Sequence, residues 1–129
     1  MAPLYPTLEE ALHLHSRLVE RFGGEFGVRD LGLLESALAR PRSGYYDSIA
    51  GQAAALLQSL ALNHCFVDGN KRMAFALAAV FLRMNGWRIR VDPDEGERFL
   101  VEAVIVGKAE LGVITAWLER RLQRLPPPA

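Results

Sequence analysis

HCFVDGNKR, residues 64–72, interrupts a chain that otherwise reads as apolar helix. It places an imidazole, a carboxylate and two cations between QAAALLQSLALN (52–63) and MAFALAAVFLRM (73–84). Uncompensated charges in a core are costly, so these groups must hold something or one another. The first flank, read through His64 as the helix QAAALLQSLALNH (52–64), is rich in small residues and suits close packing. The second is apolar on nearly every side until Asn85-Gly86 stops it, which marks a central helix. Between them, Gly69 permits a backbone shape that other residues resist, and Asn70 is a good N-cap for the central helix.

Outward from this centre the chain reads as further helices. Thr7 and Glu10 have capping-box spacing, and Leu8, Ala11, Leu12, His15, Leu18, Val19 and Phe22 form one helical face that Gly23-Gly24 ends. His15 lies on that stripe and reads as a core histidine bonded to nearby backbone rather than a catalytic one. His13 falls off it. Asp30 can cap a second helix, LGLLESALARP (31–41), closed by Pro41. RSGYYDSIAG (42–51) reads as a loop of about ten residues with two exposed tyrosines, a candidate docking flap. WRIRV (87–91) alternates and fits a short strand or an extended link. Asp92-Pro93 starts another helix, Gly107 and Gly112 bracket a break, and ITAWLERRLQRL (114–125) forms the last helix. No repeat and no run of strands emerges. The expected fold is all-α: a compact single domain of about six or seven helices over residues 1–125, with 126–129 a disordered tail.

Bulk properties exclude several classes. The 129 residues suit one core, and half of them are apolar, as in folded chains. Fifteen basic and fifteen acidic residues cancel, which argues against broad nucleic-acid binding. The single cysteine, Cys65, allows no internal disulfide and suits a reducing cytoplasm. It reads as a small buried hydrophobe rather than a nucleophile. MAPLYPTLEE lacks the marks of a signal peptide, and no apolar run approaches a membrane span, so the expected location is the cytoplasm.

The chemistry of the nine residues is specific. The first amide N–H groups of a helix carry partial positive charge and favour Asp or Glu nearby. This chain instead puts Lys71 and Arg72 in the first turn, which makes sense if an anion binds there, phosphate being the common case. A carboxylate beside phosphates, here Asp68, usually reaches them through magnesium. Imidazole can take and return a proton near neutral pH, so His64 can serve a hydroxyl nucleophile. Phe66 reads as a hydrophobic pin. Together these describe phosphoryl or nucleotidyl transfer. The purely structural alternative has His64 capping a helix end, Asp68 paired with Arg72, and Lys71 solvated.

HCFVDGNKR resembles the signature of the Fic/Doc superfamily, whose Fic branch reads H-P-F-x-D/E-G-N-G-R and whose Doc (death-on-curing) branch tends to H-x-F-x-D/N-A/G-N-K-R. His64, Phe66, Asp68, Gly69, Asn70, Lys71 and Arg72 all match the Doc form, and LHSRLVERFGG (14–24), GVRDLGLLESALARP (27–41) and AVFLRMNGW (79–87) are also Doc-like. The resemblance implies a toxin of a toxin–antitoxin pair that uses ATP and Mg2+ to modify a protein hydroxyl. His64 would be the general base, Asp68 the magnesium ligand, and Gly69 and Asn70 the lining of the phosphate nest. Arg72 would contact the phosphates and stabilise developing charge. Lys71 distinguishes the branches: where Fic enzymes have glycine and transfer AMP, Doc-like proteins have lysine and present the γ-phosphate. The implied reading is a kinase acting on a threonine of elongation factor Tu, held in check by a Phd-like antitoxin whose tail enters the active-site groove. Adenylyl transfer and a non-catalytic growth-inhibiting binder are the alternatives. Thr115 and Glu119 partly match an inhibitory helix motif of Fic enzymes, but Arg120 departs from it, and the match reads as chance.

Overall fold

The first helix begins where the chain can satisfy its own end. In the computed structural model, which describes residues 2–127, Thr7 accepts from the Glu10 N–H while the Glu10 side chain accepts from the Thr7 N–H. This reciprocal cap starts α1 (Leu8–Phe22), and Gly23 ends it with a positive φ of 88°. Ala11, His15 and Val19 are buried, whereas Phe22, expected on the same face, is 53% exposed. Asp30 caps α2 (Leu31–Ala39) by accepting from the Leu33 N–H, and Pro41 follows in a short 3₁₀ turn, Arg40–Arg42.

The flap is shorter than its sequence suggests, because Ser48 caps α3 (Ile49–Leu62) and takes Ile49, Ala50 and Gly51 into the helix. Tyr45 is 85% exposed, but Tyr46 is half-buried, with its hydroxyl accepting from Arg40 Nε at 2.7 Å. Alanines on α3 allow close approach to α4 (Asn70–Met84), and Leu56, Leu57 and Leu60 meet Met73, Leu77 and Phe81 in the core. Asn70 is the first residue of α4 rather than its cap. Gly69 holds that place in the left-handed region, φ 75° and ψ 19°.

After Asn85 and Gly86 (φ 86°) the chain forms β1 (Trp87–Ile89). A lone strand would leave its backbone groups unpaired. Its partner is β2 (Leu122–Arg124), antiparallel, with Trp87 opposite Arg124 and Ile89 opposite Leu122. The last helix, α6 (Leu111–Glu119), therefore stops earlier than its periodicity suggests. Arg121 anchors the turn by donating to the Trp117 carbonyl and pairing with Glu95. Gly112 lies inside α6, so the break before it spans Gly107 to Glu110.

Between β1 and α6, α5 (Pro93–Arg98) runs directly into a π-helical segment, Phe99–Val106, whose Phe99 ring stacks on Trp117 at 4.1 Å. The architecture is all-α apart from the two short strands, with six α-helices among the described residues and α3 and α4 at the centre. Pro126 and Pro127 of the expected tail are exposed, while Pro128 and Ala129 lie outside the described residues.

Candidate active site

A groove of about 1220 Å³ opens beside the N-terminus of α4. His64, Asp68, Gly69, Asn70, Lys71 and Arg72 all border it. It continues along one face of α4, past Phe75, Ala76, Ala79 and Arg83, with Arg88 of β1 and Leu100 and Val101 of the π segment opposite. Residues spaced 3–4 apart on a helix share a face, so this wall is continuous. Arg72 and Arg83 are roughly 16 Å apart along the axis, and the wall between them is apolar. The flap, residues 43–48, does not line the groove, nor do Thr115 and Glu119.

His64 lies past the end of α3 rather than on it. Asn63 is the C-cap, and His64 follows with a positive φ of 52°, a position usually given to glycine. Arg29 supports this conformation. Its Nε donates to the His64 carbonyl at 2.7 Å and its second guanidinium nitrogen to the Asn63 carbonyl at 3.4 Å, placing a cation at the negative end of α3. The imidazole is exposed and borders the groove.

The loop from His64 to Gly69 is tied to the segment following α1. The Arg29 and Asp30 N–H groups both donate to the Cys65 carbonyl, and the Val67 N–H donates to the Gly27 carbonyl. Phe66 is 1% exposed, the pin that its sequence suggests. Asn70 turns its side chain back to this loop, Oδ1 accepting from the Phe66 N–H at 3.0 Å and Nδ2 donating to the Phe66 carbonyl at 2.9 Å. Asn70 thus spends its amide on closing the loop. His15 is buried, as its stripe implies, with Nε2 2.8 Å from the Asp68 carbonyl.

The Asp68 carboxylate accepts from two backbone N–H groups, Gly69 onto Oδ1 at 2.8 Å and Glu25 onto Oδ2 at 3.2 Å. A carboxylate offers about four acceptor positions, so capacity remains for a further partner. Asp68 forms no ion pair with Arg72, whose guanidinium lies 4.4 Å above the Phe22 ring. The first intrahelical donor of α4 is Met73, to the Gly69 carbonyl, and the Asn70, Lys71 and Arg72 N–H groups have no acceptor among the described residues. Three free amides with two cations make an anion site. Cys65 is fully buried, and burial pushes its thiol up to about 11, which removes it as a nucleophile.

Gly24, Glu25 and Arg29 hold this arrangement together, and chemistry-based reading of the sequence passed over them. Their signals were the Gly23-Gly24 doublet and an arginine beside the cap Asp30.

Similarity to known proteins bears on what this geometry serves. The Fic/DOC family profile matches residues 5–82, which includes the whole motif. This chain belongs to the Fic/DOC family. It is 54% identical over 78 residues to Toxin Doc of Mycolicibacterium smegmatis, covering 57% of this chain and 60% of that protein. It is 34% identical over 90 residues to the protein kinase Doc of Escherichia phage P1, covering 67% and 71%. Both relatives are Doc proteins, in line with the lysine at position 71. The chain thus spans less than two thirds of the mycobacterial relative's length. Among the described residues, no helix is long and apolar enough to cross a membrane, and no three His, Cys, Asp or Glu side chains converge as a metal cluster.

Proposed function

We propose that this protein is a Doc-type toxin, an ATP- and magnesium-dependent protein kinase that phosphorylates a threonine of elongation factor Tu and so blocks translation in the cytoplasm. The observation that carries this reading is the convergence of His64, Asp68 and the cationic start of α4 on one groove. The kinase named for the phage relative supports phosphoryl over nucleotidyl transfer.

In this mechanism the His64 imidazole takes the proton of the threonine hydroxyl as its oxygen attacks the γ-phosphorus. The bond from that phosphorus to the β–γ bridging oxygen breaks, and ADP leaves. The free N–H groups of α4, which the helix backbone already fixes, neutralise charge on the phosphates together with the Lys71 and Arg72 side chains. Asp68 fits a magnesium ion: one carboxylate with phosphates and water is a usual magnesium donor set, and its orientation is fixed by the Glu25 and Gly69 N–H groups. Bound magnesium would supply further charge neutralisation. The Phd-like antitoxin tail is assigned to the apolar reach of the groove between Arg72 and Arg83, which the flap does not border.

The test incubates wild type and His64→Ala with elongation factor Tu and ATP labelled at either the γ- or the α-phosphate. Transfer of the γ label alone, lowered at least ~100-fold in the variant, is expected. Transfer of the α label would make the protein an adenylyltransferase. Growth inhibition undiminished in a folded His64→Ala protein would make it a binder.

A further inference from the structure

His15 lies outside the motif and does not line the groove, yet it meets the motif at three neighbouring points. Its ring stacks face to face on Phe66, 3.8 Å between centroids and 7° between planes. Its Nε2 lies 2.8 Å from the Asp68 carbonyl, and a Cβ on Gly69 would sit 3.6 Å from that same nitrogen. A carbonyl only accepts, so Nε2 carries the proton. The ring is 3% exposed, on a helix anchored by its own capping box.

The peptide joining Asp68 to Gly69 is consequently held at both ends. His15 holds its C=O, and its N–H donates to Asp68 Oδ1 at 2.8 Å. The orientation of this peptide governs two things at once. It aims the carboxylate, whose other oxygen takes the Glu25 N–H, and it sets the left-handed Gly69 from which the free amides of α4 project. A ring that merely filled space would need no donor at this point, and a donor alone would need no stack.

We propose that His15 is a positioning residue that orients the Asp68 carboxylate and the anion nest of α4 through its Nε2–H. The kinetic part of this claim rests on the proposed kinase function. The claim about loop geometry does not.

Two substitutions separate donor from ring. His15→Phe keeps an aromatic ring against Phe66 and removes the donor. His15→Gln loses the stack but carries an N–H donor at comparable reach. Three quantities are measured on the full chain: amide hydrogen exchange at Phe66 and Gly69, affinity for MgATP, and kcat and KM for phosphoryl transfer, with thermal unfolding as a check on folding. The Phe variant should remain folded, exchange faster at Gly69, bind MgATP more weakly and lose roughly ten- to a hundredfold in kcat, with KM for the acceptor protein little changed. The Gln variant should restore slow exchange and most of kcat. Wild-type exchange and kcat in the Phe variant, or equal losses in both, would overturn the assignment and leave His15 a core filler. Should the Phe variant not fold, the Gln variant decides alone: slow exchange at Gly69 supports the proposal and fast exchange defeats it. A wild type that transfers no phosphate refutes the kinase reading, and exchange and MgATP affinity still decide the role of His15.

Discussion

Gly24 approaches Asp68 so closely that a Cβ there would lie 2.8 Å from Oδ2, and its φ of +110° is one that side-chain-bearing residues resist. The next N–H, from Glu25, donates to the same oxygen. The turn that ends α1 therefore doubles as the holder of the motif carboxylate. A residue separated from it by two whole helices, α2 and α3, has become part of its environment.

Gly24→Ala is expected to push the carboxylate off its two N–H donors. Backbone strain alone should cost about 1–3 kcal/mol of stability, visible in denaturant unfolding. Phosphoryl transfer should fall by roughly a hundredfold, because displacement of a reacting group by about 1 Å has that effect. Activity unchanged in the alanine variant would mean that the position of Asp68 is not critical.

Phe22 is exposed and supports the Arg72 guanidinium at 4.4 Å. Phe22→Leu keeps apolar bulk and removes the ring face, a contact worth about 0.5–1 kcal/mol at exposed sites. Affinity for MgATP should fall roughly two- to fivefold, with little change in thermal stability. Titration calorimetry on both proteins gives the comparison. A variant that binds as tightly as wild type would show that Arg72 needs no support.

Lys71 is exposed in the first turn of α4, where its charge adds to three free amides. Lys71→Gly should lower transfer of the γ-phosphate by removing that charge, at a cost of up to ~1 kcal/mol to the helix. The space it opens is expected to permit weak transfer of AMP, detectable with α-labelled ATP. Unaltered γ transfer would remove lysine from the choice of phosphate.

Cys65 gives a test by pH. Its thiol rises from the ordinary value of 9.0 to about 11, chiefly through burial. The folded protein thus holds its proton after the unfolded chain has released it. Stability from this group is complete below pH 9 and is lost as pH climbs from 9 to 11. Unfolding curves across that range should show the decline, and Cys65→Ala should flatten it. At neutral pH a thiol reagent should react with Cys65 only after unfolding, and rapid labelling of the native protein would contradict its burial.

Local chemistry decided much of this molecule before any chain crossing. The Thr7–Glu10 box, the Asp30 cap, the Asn85-Gly86 stop and the apolar periodicities specify helices because each acts within a few residues of itself. The motif was legible for the same reason, since His64 through Arg72 are contiguous. What holds the motif was not. His15 and Asp68 are 53 positions apart, Arg29 and His64 are 35, and Glu25 and Asp68 are 43. Such pairs depend on where α1 crosses the start of α4, which periodicity does not encode. Asn70 looked like a helix cap and became a loop clasp, because Gly69 took the cap position and freed the amide to reach Phe66. The end of the chain shows the same division. Residues 122–124 have helical spacing, yet they form a strand because the backbone of β1 needed hydrogen-bond partners that only the folded structure could bring to it.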